Sequence, residues 1–406
     1  MRYHNWFKEA KLGMIIHWGA YSVAARGEWT FNRECLTKEE YTEQYVNHFK
    51  AENYDPSVWA KLAKKAGMQY AYLTAKHHDG FCLWDTGTTD FNSVKMGPKR
   101  DLVKAYVEAF RAEGLKVGIY YSPGDWNHPD YPDPCARDWP NEWHDEEARQ
   151  RFVKYYMEQL RELMTNYGKI DLLWYDGCIP KPMDGAAANA MVRELQPDIL
   201  INNRNGKPCD FYICEGAIAP PPIDVPWEAT MCTNNHWGYH ATDHEYKSAR
   251  SIIHMLLKAA RDEGNLCLNL GPRADGSVPE PYFEIFEKVG SWLEKNREAI
   301  FDTVKIPFSW NPSSELTMNQ EKVFISLKYG MPQHTVVEIK NKVKRVYKLS
   351  TGEDMDFRQD EKGRLTIFGT DMEVDMGIAS VYACVTEGKP EAIRPKTYFW
   401  IPGYEV

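Results

Sequence analysis

Acidic residues at the ends of strand-like segments are the first candidates for chemistry in this sequence. Asp176 ends the apolar run KIDLLWYDG, and Gly177 after it permits a sharp exit of the chain. Glu215 lies in FYICEGAIAPPP, before a proline-rich loop, and Glu228 lies in VPWEATM. Hydrolysis of a glycosidic bond needs two carboxyl groups, one as nucleophile or base and one as acid. We predict the nucleophile or base role for Asp176, with capping of the next helix as the alternative.

The two glutamates compete for the acid role, and their positions differ. Glu215 follows a strand-like run and begins a shaped loop, which suits a group at the mouth of a site. Glu228 begins its own strand-like run, which places it nearer the opposite end of the sheet unless that strand is short. We therefore predict Glu215 as the acid and Glu228 as its alternate, with Asp125 among the further candidates.

Three histidines follow the first two strand-like runs. His17 lies in HWG, and His77 and His78 lie in KHHDG. A neutral imidazole can donate or accept a hydrogen bond with a sugar hydroxyl, although a single histidine is more often a satisfied core residue. Histidine and aspartate are also zinc ligands. Adjacent histidines on a strand would point to opposite faces, and no HxH or HExxH motif occurs, so a metal site is not favoured.

Aromatic and charged side chains accompany the histidines. Four aromatic residues could stack on a sugar ring, with core packing as the alternative for each: Trp29, Tyr120, Trp174 and Trp237. Glu28, in RGEWTF, could accept hydrogen bonds from hydroxyls. Arg204, in INNRNG, could bind a carboxylate or hydroxyl, or could lie in a solvated loop or an internal salt bridge.

Other chemistries find little support in the sequence. The nine cysteines form no CxxC pair, which argues against a zinc ribbon or a disulfide framework and favours a reducing compartment. No GxGxxG or Walker motif occurs, so no nucleotide cofactor is indicated. The N-terminal MRYHNWFKEAKLG has no apolar segment of the kind found in a secretory signal, which leads us to expect a cytoplasmic protein.

The elements that must position these residues alternate between strand-like and helix-like patterns. Eight strand candidates are Leu12–Ile16, Tyr70–Thr74, Lys116–Tyr121, Ile170–Tyr175, Asp198–Ile201, Phe211–Cys214, Glu228–Cys232 and Leu266–Leu270. Helix candidates include a segment capped by Asp55 and the segments Arg100–Glu113, Glu147–Tyr167 and Ser248–Glu263. The connections between residues 201 and 228 are too short for full helices.

The polar clusters lie just after the strand candidates, which is where the active sites of α/β barrels lie. We therefore predict an irregular (β/α)8-like TIM barrel over residues 1–300. The segments VFISLKY, TVVEIKN, RVYKLST and SVYACVT predict an antiparallel β-sandwich over residues 301–406.

Composition limits the class of protein. The chain has 406 residues, 43% of them hydrophobic and 26% charged, as in soluble globular proteins rather than disordered or fibrous ones. No apolar run approaches the roughly 20 residues of a membrane-spanning helix. The net charge of −9 makes nucleic acid or an anionic membrane a poor partner. Aromatic residues make up 13% of the chain, which is compatible with sugar binding but does not require it.

Several motifs resemble those of the α-L-fucosidases of glycoside hydrolase family 29. They occur in the family's order: WFKEAKLGMIIHWGAYSV, GEW, YLTAKHHDGFCLWDT, LKVGIYYSPGDW, DLLWYDG, QPDILINNR, PWEATMCTNNHWGY and NLCLNLGPRADGSVP. The resemblance implies an irregular barrel with a C-terminal β-sandwich, no metal or organic cofactor, and a retaining exo-glycosidase that acts on fucosylated oligosaccharides or glycoconjugates.

The resemblance also implies roles for individual residues. Asp176 matches the nucleophile, Glu215 the acid/base, and Glu228 an alternate acid/base. Eight positions match fucose-binding residues of the family: His17, Glu28, Trp29, His77, His78, Tyr120, Trp174 and Arg204. Trp237 matches an aromatic residue near the sugar methyl group. A metal-dependent hydrolase, a non-catalytic fucoside-binding protein and an enzyme for L-galactosides are the alternatives.

Overall fold

The computed structural model describes residues 5–132, 142–177, 183–308, 311, 313–336 and 339–393. The chain divides into two compact units. The first comprises the residues up to Lys247 together with Asn265–Lys288, and the second comprises Ser248–Gly264 and the residues from Val289 onward.

The first unit is built on an eight-stranded parallel sheet. Its strands are β1 (Leu12–Ile16), β2 (Tyr70–Lys76), β3 (Lys116–Tyr121), β4 (Leu172–Tyr175), β5 (Leu200–Ile201), β6 (Tyr212–Glu215), β7 (Trp227–Met231) and β8 (Asn265–Leu270). The order around the sheet is β5-β4-β3-β2-β1-β8-β7-β6. Each strand overlaps a predicted one, and the barrel prediction is confirmed.

The barrel is irregular where β5 meets β6. Among the described residues, one parallel bridge between Asn202 and Phe211 joins these two strands. Side chains supply further links, since Asp210 Oδ2 accepts a hydrogen bond from the Ile201 amide at 2.8 Å and Asn203 Oδ1 accepts one from the Ile213 amide at 3.1 Å. The short connections predicted for this side leave no room for a helical crossover. We call this junction the β5–β6 seam.

Bulky side chains fill the interior of the barrel. Tyr70 and Tyr72 point inward from β2 and belong to the same buried cluster as Tyr120 and Trp174. Glycines on the neighbouring strands make space for these rings: a methyl group added at Gly13 would lie 2.3 Å from the ring of Tyr70. Protein interiors are close-packed, so the tyrosines and the glycine depend on each other.

Nine α-helices lie among the described residues: α1 (Asn5–Ala10), α2 (Thr30–Arg33), α3 (Lys38–Gln44), α4 (Pro56–Lys65), α5 (Leu102–Ala112), α6 (Glu146–Thr165), α7 (Gly185–Leu195), α8 (Ala249–Arg261) and α9 (Glu280–Asn296). Asp55 caps α4 by accepting a hydrogen bond from the Ser57 amide, as predicted. None of these helices has the length and apolar character needed to cross a membrane.

The second unit contains two antiparallel sheets. One has the order β12-β15-β10-β9 and the other the order β11-β14-β13. The strands are β9 (Ser314–Met318), β10 (Lys322–Leu327), β11 (Gln333–Val336), β12 (Val343–Lys348), β13 (Phe357–Gln359), β14 (Leu365–Phe368) and β15 (Ser380–Thr386). Four of them match the predicted segments, although positions 337 and 338 of one segment lie outside the described residues.

Contacts also place α8 in the second unit, where it packs against β9. In the chain, this helix connects β7 to β8 of the barrel. The predicted domain boundary near residue 300 stays a prediction, because chain connectivity and packing assign this helix differently.

Candidate active site

A cavity of about 280 Å³ lies at the carboxyl ends of the barrel strands. Its lining comprises Ile15, His17, Glu28, Trp29, His77, His78, Trp174, Asp176, Gly177, Arg204, Glu215, Thr230 and Trp237. The volume is slightly below the roughly 300–1,000 Å³ of pockets for drug-sized ligands, so the cavity suits a small molecule such as a single sugar ring. The structure thus brings together all the predicted site residues except Tyr120 and Glu228, which lie behind the lining.

Asp176 follows β4 directly and is held by several donors. Its Oδ2 accepts a hydrogen bond of 2.5 Å from the Tyr120 hydroxyl, and its Oδ1 accepts one from the Gly177 amide at 2.7 Å. Burial favours a higher pKa for Asp176, but the neighbouring His78 and Arg204 and these hydrogen bonds hold the pKa below its ordinary value. The capping alternative is wrong, because α7 begins after Asp184 instead.

Arg204 joins the two predicted catalytic carboxylates. One terminal nitrogen of its guanidinium group pairs with Asp176 and the other with Glu215. The same guanidinium group lies over the indole of Trp174, 4.8 Å from the ring centre. A single guanidinium group that contacts both carboxylates holds them near each other at the mouth of the cavity. Arg204 is therefore an internal ion-pair partner and not a solvated loop charge.

Glu228 occupies a different environment, inside the barrel below the cavity. It is fully buried, and its carboxyl group accepts hydrogen bonds from Tyr70 at 2.6 Å, Thr230 at 3.1 Å and Trp174 at 3.2 Å. Burial raises the pKa of Glu228 to about 7, although these hydrogen bonds oppose the shift. The position near the start of β7 accounts for this depth. Glu228 supports the indole of Trp174 from behind.

Asp125 also lies away from the cavity. It is buried and forms an ion pair with Lys76 at 3.2 Å, and it accepts a hydrogen bond from the Tyr155 hydroxyl at 2.7 Å. Its carboxylate also accepts the backbone amides of Asn127 and His128 at 3.0 Å. These contacts order the loop after β3 and leave Asp125 no route to a ligand in the cavity.

The adjacent histidines both line the cavity. β2 ends at Lys76, so His77 and His78 lie beyond the strand and do not follow its alternation. Their ring centres are 4.2 Å apart, and His78 Nε2 lies 3.4 Å from Asp176 Oδ2. Burial lowers the pKa of His77 well below its ordinary value and that of His78 to about 4, so both rings are neutral near pH 7.

These two histidines and Asp176 offer ligand atoms within 4.8 Å of one another, the spacing of a possible metal site. The carboxylate is already engaged, however, because Arg204 contacts one oxygen and Tyr120 the other. A metal ion would have to compete with this fixed positive charge. The geometry therefore favours a site in which Arg204 balances the charge of Asp176.

The remaining predicted residues form the opposite wall. Glu28 is buried, and its Oε2 accepts a hydrogen bond from the Gly238 amide at 2.8 Å. Burial raises the pKa of Glu28, and the Gly238 amide partly offsets that effect. The rings of His17 and Trp237 are 5.1 Å apart, and Trp29 packs against His78 with ring centres 5.4 Å apart. This wall combines one carboxyl group with two broad aromatic faces.

The comparison with known proteins agrees with this geometry. The family model described as alpha-L-fucosidase matches residues 1–298, well over half of the chain. The chain belongs to the α-L-fucosidase family. The resemblance inferred from the sequence motifs is thereby confirmed.

Relatives within the α-L-fucosidase family extend the match over most of the chain. The tissue alpha-L-fucosidase of Mus musculus is 31% identical over 378 residues, which cover 83% of this chain and 80% of that protein. The structure of alpha-L-fucosidase isoenzyme 1 from Paenibacillus thiaminolyticus has a TM-score of 0.87 at 34% identity and covers 94% of this chain and 98% of that one.

A third relative is informative about chemistry. It is a family 29 alpha-L-fucosidase from Bacteroides thetaiotaomicron, solved as a covalent intermediate trapped with 2-fluoro-fucosyl fluoride in a glutamate-to-glutamine variant. Its TM-score is 0.83 at 26% identity, and the match covers 93% of this chain and 94% of that one. The expected enzyme class, a retaining α-L-fucosidase, is confirmed, and the non-catalytic and metal-dependent alternatives are not favoured.

Some residues of this fucosidase site were not predicted as such. Ile15, Thr230 and Gly177 line the cavity, and Asn269 and Ser122 hold its histidines from behind. The alternation of strand residues carries a signal for two of them, because residues two apart on one strand share a face. Thr230 lies two residues after Glu228, and Asn269 lies two residues after an interior position of β8.

Proposed function

We propose that Asp176 is the nucleophile and Glu215 the acid/base of a retaining exo-α-L-fucosidase that removes single terminal fucose residues. The observation that carries this assignment is the guanidinium group of Arg204, which contacts both carboxylates at the mouth of the cavity. The low pKa of Asp176 suits a nucleophile, which must be ionised to attack. Glu215 has a side chain that is 37% exposed, so it can reach the leaving group at the rim.

In the first chemical step, a carboxylate oxygen of Asp176 forms a bond to the anomeric carbon of fucose. The bond between that carbon and the glycosidic oxygen breaks, and protonated Glu215 gives its proton to the departing oxygen. The product is a covalent fucosyl-enzyme, the type of species named for the trapped Bacteroides structure. In the second step, Glu215 takes a proton from water while that water attacks the anomeric carbon and releases Asp176.

The same proposal assigns the cavity walls to the sugar. His17, His77, His78 and Glu28 are buried polar groups that can bind ring hydroxyls. Trp29 and Trp237 give apolar faces against which a methyl group and the less polar ring face can pack. Tyr120 acts through Asp176, since its hydroxyl donates to the carboxylate and does not line the cavity.

Azide rescue tests the catalytic assignment. Aryl α-L-fucoside is given to the wild type and to Asp176→Ala, Glu215→Ala and Glu228→Ala, each with and without azide. We expect Asp176→Ala to regain activity with azide and to form β-fucosyl azide, because azide replaces the missing nucleophile. We expect Glu215→Ala to form α-fucosyl azide, because azide then attacks the fucosyl-enzyme.

Comparison of Glu215→Ala with Glu228→Ala decides which glutamate is the acid/base. If Glu228→Ala but not Glu215→Ala yields the retained azide, Glu228 is the acid/base and our assignment is wrong. A wild-type enzyme that turns over no α-L-fucoside, either aryl or branched α-1,3/1,4-linked, would overturn the proposed activity itself. Incubation with a chelator completes the set, since loss of activity restored by zinc would support the metal-dependent alternative.

The same hydrolysis assay tests whether the enzyme prefers a methyl group or a hydroxymethyl group at C5 of the sugar. L-Galactose differs from L-fucose by a hydroxyl at C6, and apolar pockets reject an added hydroxyl by only about 10²-fold. The apolar lining contributed by Ile15, Trp29 and Trp237 supports a preference for the methyl group. We expect the aryl α-L-fucoside to be hydrolysed with a kcat/KM about 10²-fold above that of the α-L-galactoside.

For location, we propose a reducing compartment such as the cytoplasm. The support is chemical: all seven cysteines among the described residues are free thiols. Disulfides are common in secreted proteins of oxidising compartments and rare in the cytosol. Fractionation of the native host with an activity assay tests this proposal.

A further inference from the structure

Asn269, the penultimate residue of β8, is fully buried behind the cavity and contacts two of its walls. Its Nδ2 donates a hydrogen bond to the backbone carbonyl of Trp237 at 2.6 Å. Its Oδ1 lies 2.7 Å from His17 Nδ1. A carbonyl oxygen can only accept a hydrogen bond, so the amide nitrogen of Asn269 must face Trp237 and the amide oxygen must face His17.

This orientation settles which nitrogen of His17 carries the proton. The amide oxygen of Asn269 is an acceptor, so His17 Nδ1 must be the donor in their hydrogen bond. Burial lowers the pKa of His17 to about 4 despite the hydrogen bond with Asn269, so the ring carries a single proton near pH 7. His17 Nε2 is then unprotonated and can only accept a hydrogen bond.

The second histidine of the site follows the same rule. Ser122 Oγ donates its one hydrogen to the carbonyl of Gly124 at 2.8 Å. The contact of 2.6 Å between Ser122 Oγ and His78 Nδ1 therefore requires His78 Nδ1 to be the donor.

We propose that Asn269 is a positioning residue that holds His17 as the Nδ1-protonated tautomer and presents Nε2 to the substrate as a hydrogen-bond acceptor. This inference rests on the proposed function, and it specifies the ligand chemistry: the sugar group at His17 is a hydroxyl that donates its proton. Asn269 also holds the backbone of Trp237 through its hydrogen bond to that carbonyl. One buried amide therefore positions both the imidazole of His17 and the indole of Trp237. A fluorine at the matching sugar position would keep the size but lose the donor.

The first test measures the tautomer directly in the free wild-type enzyme, by ¹⁵N NMR of labelled histidine. His17→Gln identifies the His17 signals among the 12 histidines of the chain. We expect a protonated Nδ1 and an unprotonated Nε2 at pH 7. A protonated Nε2 would overturn the inference. This readout needs no turnover, so it can fail while the proposed fucosidase mechanism stands, and the reverse also holds.

The second test uses substitutions of Asn269 and a matched control. In Asn269→Asp, the carboxylate still accepts the Nδ1 proton but its charge raises the pKa of His17, so we expect the acidic limb of kcat/KM to move to higher pH. In Asn269→Leu, we expect KM to rise about tenfold, from loss of one hydrogen bond, while kcat changes less.

Thr233→Val is the control, because Thr233 donates to the backbone carbonyl of Asn269 at 2.6 Å without touching its amide. This variant should keep the wild-type pH profile. A shift of equal size in Thr233→Val and Asn269→Asp would show that general disturbance of β8, and not the side-chain amide, sets the profile. Wild-type pH dependence in Asn269→Asp would also overturn the inference.

Discussion

Replacement of Glu228 by glutamine separates a structural role from a catalytic one. The carboxyl group is fully buried and accepts hydrogen bonds from Tyr70, Thr230 and Trp174. Glutamine has the same shape but no titratable proton. The substitution therefore removes the ionisation of this group with little change in the volume of the barrel interior.

The pKa of Glu228 sets the size of the effect. Burial raises that pKa from the ordinary 4.5 to about 7. Because the raised pKa means that the folded state binds the proton more tightly than the unfolded chain, the stabilising contribution is complete below pH 4.5 and is lost as the pH rises to 7. At 1.36 kcal/mol for each pH unit between the two values, the loss is about 3 kcal/mol.

Urea unfolding of the wild type and Glu228→Gln at a series of pH values between 4.5 and 8 measures this contribution. The wild type should lose about 3 kcal/mol more of its free energy of unfolding over this range than the variant does. Glu108→Gln is the matched control, because it makes the same chemical change on an exposed side chain of α5. Its free energy of unfolding should change with pH by the same amount as that of the wild type.

The reasoning fails if wild type and Glu228→Gln lose stability in parallel across the pH range. That result would mean that Glu228 is ionised as easily in the barrel as in water. In activity assays, Glu228→Gln should stay within about tenfold of the wild type, the cost of roughly one weakened hydrogen bond behind Trp174. Loss of activity confined to substrates with poor leaving groups would instead identify Glu228 as the acid.

Three further substitutions test other parts of the site. Arg204→Lys removes the planar group that contacts two carboxylates at once, so kcat/KM should fall roughly 10–100-fold; an unchanged value would remove Arg204 from the mechanism. Tyr120→Phe deletes a donor to Asp176 and raises the pKa of that carboxyl, so the acidic limb of kcat/KM should move to higher pH; a fixed limb would contradict the assigned hydrogen bond. Gly13→Ala places a methyl group 2.3 Å from the ring of Tyr70, so the free energy of unfolding should drop by about 1–3 kcal/mol. Gly87→Ala is the control, because its added methyl group would have its nearest neighbour at 3.5 Å, and its free energy of unfolding should equal that of the wild type.

The barrel strands were predictable because each is an apolar run with polar residues at its end. The eight predicted runs and the eight strands of the sheet overlap throughout. The helix α7 was not predicted, because its sequence GAAANAMVREL has few large apolar residues at helical spacing. The strands β9, β13 and β14 were also missed, since they are three to five residues long and their pairing depends on distant segments.

The site residues were likewise predictable only where the signal lies in a short stretch of sequence, and not where it depends on contacts between distant segments. Asp176 and His17 were identifiable from sequence because each follows an apolar run, and a strand end in a barrel is a position near the active face. The role of Asn269 was not identifiable, because its partners His17 and Trp237 are brought to it by pairing of β8 with β1 and by a loop. The alternation rule did not apply to His77 and His78, because β2 ends at Lys76 and both residues lie beyond it.

The β5–β6 seam has a consequence for how enzymes of this kind can diversify. Backbone ladders fix the other strand pairs of the described barrel, but here one bridge and a few side-chain contacts join the strands. Arg204 and Glu215 line the cavity on the two sides of this seam, each next to a loop. Insertions or deletions in those loops would leave the ladder intact. New aglycone preferences therefore have an evolutionary route that spares the residues at the ends of β1 and β2, to which we assign recognition of the sugar.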